Sequence, residues 1–214
     1  MFDNWWLDNV SADSKIMKFK HLFEYQKNTS AEPDPTVLSL TLKGVKIRDI
    51  SNNEGQLAAS YEDYALVQPG DFVLNPMDLV SGSVAISPYR GVASKAYFIF
   101  KIRPECEDLL DPAYAEYFLW TCFKENIFFP FGKGLGRPEQ GGGRWTLNRE
   151  TLKEFPIIVP PIEVQRSITQ SLRSEISKID EEIELLEKML ENSKIRRNKV
   201  IAVDLGILEK TDGE

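Results

Sequence analysis

Histidine and cysteine are scarce in this sequence, and nothing points to a catalytic acid pair among its 33 Asp and Glu residues, although distant segments could assemble one. His21 is the only histidine, and Cys106 and Cys122 are the only two cysteines. A structural zinc site takes four Cys or His ligands, and a Ser-His-Asp triad needs a histidine held between the other two groups. We therefore expect no metal site, no cofactor and no catalytic residues in this chain, and we expect the two thiols to be reduced and packed.

A glycine-rich stretch is the next candidate for chemistry. Phe131 to Arg137 is no phosphate-binding loop, since Lys133 is not followed by Ser or Thr and Gly134-Leu135-Gly136 is followed two residues on by Pro138, not Gly. As a long loop it suits DNA better, because Arg can chelate guanine and Gln can pair with adenine. An ordinary solvated surface loop is an equally good interpretation. The candidate DNA-binding residues here are Lys133, Arg137, Gln140 and Arg144.

Two further segments concentrate positive charge. Lys43, Lys46 and Arg48 lie on and after a predicted strand turn, where a solvated strand face is a slightly better interpretation than a binding site. Arg90 and Lys95 flank another predicted loop, which is the weakest of the three candidates. All five cations are retained as candidate DNA-binding residues.

The elements around these candidates are of mixed type. Residues 1–159 predict an α+β globular domain, with alternating or short apolar runs as strands and helices that begin at Asp111-Pro112 and at Asn148. The predicted strands cover residues 37–42, 71–74, 82–86, 96–102 and 156–159.

A long helix is predicted after Pro160-Pro161. It lacks Gly and Pro to about Val203 and carries one heptad stripe, so residues 160–205 are assigned to a coiled-coil helix and 206–214 to a tail. A narrow stripe flanked by charge favours one partner helix over packing along its own domain. The stripe consists of Leu172, Ile176, Ile179, Ile183, Leu186 and Leu190.

The composition limits the partners. A net charge of −7 argues against a protein that simply coats DNA, so DNA affinity must come from local patches or be shared with a more basic partner. No apolar run is long enough to span a bilayer and no basic leader segment precedes one, so we expect a cytoplasmic location.

Several segments resemble type I restriction-modification specificity subunits, and they occur along the chain in the same order as in that family. Residues 155–168, Phe-Pro-Ile-Ile-Val-Pro-Pro-Ile-Glu-Val-Gln-Arg-Ser-Ile, are similar to the family's strand, double proline and Glu-Gln helix start. Residues 66–73, 110–114 and 145–147 resemble its Gly-Asp strand, its Leu-Asp-Pro-x-Tyr helix start and a late strand. The helix end at residues 194–201 is also similar. The likeness runs from about Lys15 to Ile201 and implies the single-recognition-domain form.

The resemblance implies a subunit that recognises a DNA sequence and has no catalytic residues. Its partners would be double-stranded DNA, methyltransferase subunits that carry S-adenosylmethionine and methylate adenine, and in restriction assemblies a motor-nuclease subunit. The usual family member has two recognition domains and two long helices. One of each implies a homodimer on a symmetric, bipartite target. The alternatives are pairing with a different half, a remnant that no longer directs modification, or a coiled-coil adaptor that binds protein.

Overall fold

The computed structural model describes residues 5–8, 10–29, 34–49, 61, 64–134 and 145–207. The chain divides into two compact units, Met1–Ser167 and Ile168–Glu214.

The described residues of the first unit form short strands and helices. The strands are β1 Lys15–Lys18, β2 Phe23–Tyr25, β3 Leu38–Thr41, β4 Gly44–Ile47, β5 Ala65–Val67, β6 Phe72–Leu74, β7 Val84–Ile86, β8 Gly91–Ala93, β9 Phe98–Ile102 and β10 Pro156–Val159. The helices are α1 Phe19–Leu22, α2 Pro112–Lys124, α3 Arg149–Lys153 and α4 Ile162–Asp204, the last of which runs on into the second unit.

An antiparallel sheet in the order β2-β9-β6-β7 lies at the centre of the first unit. Its register aligns Leu74 with Phe98 and with Val84. At this end of the strands β2 and β6 finish and β7 and β9 begin, and we call it the open end of the sheet. Three smaller two-stranded pairs, β1-β10, β3-β4 and β5-β8, surround the sheet.

The central strands are apolar on both faces because each face covers a separate core. Side chains alternate in direction along a strand, so Phe72 and Phe100 face one core while Val73 and Ile99 face the other. The first core is rich in aromatic rings, and Phe72 and Phe100 stack with ring centroids 5.2 Å apart. The second core lies beneath the β3-β4 hairpin.

Local sequence signals predict five of the ten strands of the described residues, namely β3, β6, β7, β9 and β10, and they predict the helices α2, α3 and α4. Asp111 caps α2 by accepting a hydrogen bond from the backbone N–H of Tyr114 at 2.9 Å, as the Asp-Pro start predicts. Asn148 caps α3 in the same way, with the N–H of Thr151 at 2.8 Å. One expectation differs. Residues 145–147 form no strand, and Thr146 makes only an isolated bridge to Lys133. The pairing does not continue because the N–H of Leu147 donates to Pro76 O and the N–H of Gly132 donates to Phe129 O.

The junction before the long helix is held by a fully buried glutamine. Gln165 donates from Nε2 to the carbonyl oxygens of Leu109 at 2.8 Å and Pro160 at 2.7 Å, and its Oε1 accepts from the N–H of Asp111 at 2.9 Å. These bonds connect the first turns of α4 to the start of α2, inside the first unit.

The second unit is the continuation of α4. Five of the six predicted stripe residues expose between 39% and 57% of their surface, and Leu172 is half-buried. Ion pairs such as Lys188 with Glu184 at 2.6 Å run along the same helix. No helix in the described ranges combines the length and apolar character that crossing a membrane requires.

Candidate nucleic-acid interface

Several connections meet at the open end of the central sheet. The segment after β6, the turn between β8 and β9, and the continuation of β2 all leave the sheet there. The strand β8 also runs toward this end, since it pairs antiparallel with β5, whose first residue Ala65 bridges Thr29 beyond the end of β2. Side chains that are far apart in the sequence therefore lie together at the open end.

The β3-β4 hairpin is attached to β8 by main-chain bonds. Val37 bridges Val92 in parallel, the N–H of Val92 donates to Thr36 O at 2.8 Å, and the N–H of Arg48 donates to Val37 O at 2.8 Å. This close approach depends on Gly91. A β-carbon there would overlap the carbonyl oxygen of Thr36 and press on the Leu38 side chain.

The hairpin carries three of the predicted cations. Lys43 and Lys46 are exposed, and Arg48 is half-buried beside Tyr97. Burial raises the pKa of Tyr97, and the positive charge of Arg48 opposes that shift. Lys95 is exposed in the turn from β8 to β9, at the open end. The hairpin and this turn are thus parts of one surface.

Arg90 lies elsewhere. It is exposed immediately before β8, and β8 runs from the opposite end of the sheet toward the open end. The same opposite end contains the Pro69-Gly70 turn, where Gly70 N–H donates to Ser87 O at 2.8 Å. The structure therefore separates Arg90 from Lys95, although one short segment contains both.

The glycine-rich stretch begins and ends at the open end. Lys133 and Thr146 exchange two main-chain hydrogen bonds of 2.8 and 2.9 Å, and we call this pair the clasp. The residues after it are tied to the connection that follows β6, with Leu147 N–H bonded to Pro76 O at 3.0 Å and Trp145 O to Leu79 N–H at 2.9 Å. Lys133 is exposed. Arg137, Gln140 and Arg144 lie outside the described residues.

One cation of this region was not among the predicted site residues. Arg149, the first residue of α3, places its guanidinium carbon 5.3 Å from the ring centroids of both Tyr25 and Phe98. Burial raises the pKa of Tyr25, and the charge of Arg149 acts against that shift. No sequence signal points to this contact, because the two rings come from strands more than fifty residues before Arg149.

The described residues contain no cluster of three His, Cys, Asp or Glu side chains that could hold a metal ion. Cys106 and Cys122 are free and buried. Burial raises the pKa of both thiols, so each favours its protonated form.

The fold defines a class of protein in which a mixed α+β domain is followed by one long helix. In this chain exposed cations lie at the open end of the sheet of that domain. Residues 13–191 match the family model described as "Type I restriction modification DNA specificity domain". The match covers most of the chain, and this protein belongs to that family.

Solved structures share the fold. A chain from the "complex assembly and conformational transition of the type I R-M system" aligns with a TM-score of 0.65 and 11% identity, over 96% of this chain and 52% of that one. The "Type-I restriction-modification system S subunit from M. genitalium" aligns with a TM-score of 0.50 and 15% identity, over 94% of this chain and 48% of that one. The present chain thus spans about half the length of either. No curated protein matches it.

Proposed function

We propose that this chain is the sequence-reading subunit of a type I restriction-modification methyltransferase complex and that it acts as a homodimer on a symmetric, bipartite DNA target. The observation that carries the proposal is the exposed heptad stripe of α4 in a chain that belongs to the DNA specificity family. Apolar side chains at every a and d position need a second helix to cover them. A second copy of α4 offers a stripe of the same length and composition.

The open end of the sheet is proposed as the DNA-facing surface of the first unit. It collects Lys43, Lys46, Arg48, Lys95 and Lys133 around one edge. Such a local concentration answers the difficulty posed by a net charge of −7, because phosphate contacts depend on clustered cations rather than on overall charge. Arg90 lies at the opposite end of the sheet, and it would contact DNA only if the duplex also extends to that end.

Base contacts are assigned to the glycine-rich stretch. Arg can pair with guanine and Gln with adenine, which suits Arg137, Gln140 and Arg144 to base contacts. The clasp joins the two ends of the stretch at the open end of the sheet, which supports this assignment. Loss of one such contact costs about 1–3 kcal/mol of discrimination.

Catalysis is assigned to the partner. Methyltransferase subunits would supply S-adenosylmethionine and methylate adenine, and a motor-nuclease subunit would join in a restriction assembly. They would also provide many of the phosphate contacts, so that this acidic chain chiefly supplies base readout. The chain itself would need no cofactor.

The decisive experiment co-expresses this chain with the methyltransferase subunit encoded beside it and maps modified adenines across the host DNA. We expect methylation at an inverted, gapped motif. A non-symmetric motif would replace the homodimer with a pair of different halves. No methylation with the partner still co-purifying would indicate a remnant, and no co-purification would favour the protein-binding adaptor.

A further inference from the structure

The guanidinium of Arg149 is held in place by aromatic rings. Tyr25 and Phe98 both lie within 5.3 Å of its central carbon, and their own rings meet edge to face with centroids 5.9 Å apart. Each ring sits in the central sheet, Tyr25 at the end of β2 and Phe98 at the start of β9. The backbone of Arg149 is fixed as well, since Asn148 caps its helix. The cation therefore occupies a set position on a rigid support.

This cation has no acidic partner among the described residues. Its guanidinium makes no hydrogen bond or ion pair there, and the neighbouring carboxylate of Glu150 is engaged by Lys153 at 2.7 Å. Arg149 is exposed. A guanidinium has five N–H donors in a fork that fits phosphate oxygens, and no described residue of this chain accepts a hydrogen bond from them.

The position of Arg149 coincides with the proposed DNA surface. Phe98 pairs with Leu74 at the open end of the sheet, where the exposed Lys95 and Lys133 also lie. Leu147, two residues before Arg149, is bonded to Pro76 in the connection that leaves the same edge. Arg149 thus adds a fixed positive charge to this edge.

We propose that Arg149 binds a backbone phosphate of the DNA and fixes the domain on the duplex. The proposal rests on the function proposed above. A phosphate is favoured over a base edge because the guanidinium would have to leave both rings to reach into the major groove, which is roughly 8.5 Å deep. Phosphates line the outer surface of the duplex, and contacts to them fix position without reading sequence.

The test measures DNA binding by the complex of the full chain with its methyltransferase subunit, on target and on unrelated DNA, over a range of salt. For Arg149→Gln we expect affinity to fall about tenfold on both DNAs. The slope of log affinity against log salt should decrease in size by about one, as for one lost phosphate contact. Arg149→Lys should restore most of the slope. Lys101→Gln is the matched control, because Lys101 is on β9 toward the opposite end of the sheet and pairs with Glu24 at 3.1 Å.

Thermal unfolding of each variant separates binding from packing. An unchanged salt slope for Arg149→Gln, with or without a lower Tm, would overturn the phosphate assignment in favour of a packing role. Lost discrimination at one base pair with an unchanged slope would overturn it in favour of base readout. If the wild-type complex fails to select any DNA target, the proposed function fails first, whereas a selective wild type with an unaffected Arg149→Gln variant refutes only the present inference.

Discussion

Gln165 shows how one residue can account for two sequence motifs at once. Its amide joins the Pro160 carbonyl before α4 to the Leu109 carbonyl and the Asp111 N–H before α2. Only an amide of this length both donates twice and accepts once at those three groups. The Leu-Asp-Pro segment and the double-proline segment therefore depend on each other in the folded chain.

Replacement of Gln165 by alanine should destabilise the first unit. Two carbonyl oxygens and one N–H would lose their partner, one from a buried bond and two from partly buried bonds, and an unsatisfied group costs up to about 1–3 kcal/mol when fully buried. We expect a loss of about 2 kcal/mol or more in the free energy of unfolding, measured by urea denaturation. Gln170→Ala, the same change at an exposed position of the same helix, should cost less than about 0.5 kcal/mol. Equal losses in the two variants would contradict this account.

The bonds of Gln165 could not be read from the sequence. Resemblance to known specificity subunits marks both segments, but the three partners come from two places in the chain that only the fold brings together. Arg149 illustrates the same limit. Its charge is visible in the sequence, whereas its aromatic support depends on the strands that contain Tyr25 and Phe98.

At the scale of elements, the β3-β4 hairpin and β8 form one support for the cations at the open end. The support depends on the missing side chain of Gly91, because the carbonyl oxygen of Thr36 occupies the space that a β-carbon would take. Arg48 follows the hairpin directly and Lys95 follows β8, so the spacing between these charges is set by this contact.

Gly91→Ala should displace the hairpin from β8. Main-chain atoms must move, since the nearest atom is a backbone oxygen, and we expect a cost of about 1–3 kcal/mol in stability and weaker DNA binding by the complex. Val92→Ala is the control. It shortens a fully buried side chain in the same strand and lowers stability to a comparable degree without forcing the backbones apart. Both are compared well below their Tm, and equal DNA affinity would show that hairpin position does not matter.

Elements with local signals were predictable and pairings between distant elements were not. The caps Asp111 and Asn148 lie within three residues of the N–H groups that they bind, so the local sequence alone predicts where each helix begins. The pairing of Thr146 with Lys133 crosses the glycine-rich stretch, and no local pattern defines it. Arg90 and Lys95 are separated by the direction of β8, which follows from its partner β5.

At the scale of the whole molecule, the exposed stripe of α4 determines the expected state of association. Ile183 lies near the middle of the stripe and exposes 47% of its surface. A helix with this stripe in water leaves apolar area that a partner helix would remove. We therefore expect the purified chain to be dimeric.

Ile183→Glu should weaken the dimer. Each buried isoleucine contributes about 1.5–3 kcal/mol, and a homodimer loses two of them, so the Kd should rise at least about 100-fold. Sedimentation equilibrium measures it directly. The matched control is Leu185→Glu, which places the same charge on the same helix at a similarly exposed apolar position off the stripe. A wild-type monomer at tens of micromolar, or equal effects of both substitutions, would contradict the coiled-coil pairing.

The clasp between Lys133 and Thr146 has a consequence for how such a protein can diversify. Its two main-chain hydrogen bonds, and a third of 3.3 Å from Thr146 Oγ1 to Lys133 O, involve only the two end residues and not the side chains between them. A β-carbon at Gly134 would stand 2.7 Å from the Trp145 ring, so we expect replacements to be tolerated beyond Gly134. If the stretch contacts bases as proposed, substitutions beyond Gly134 would change the preferred DNA sequence with little effect on the stability of the first unit.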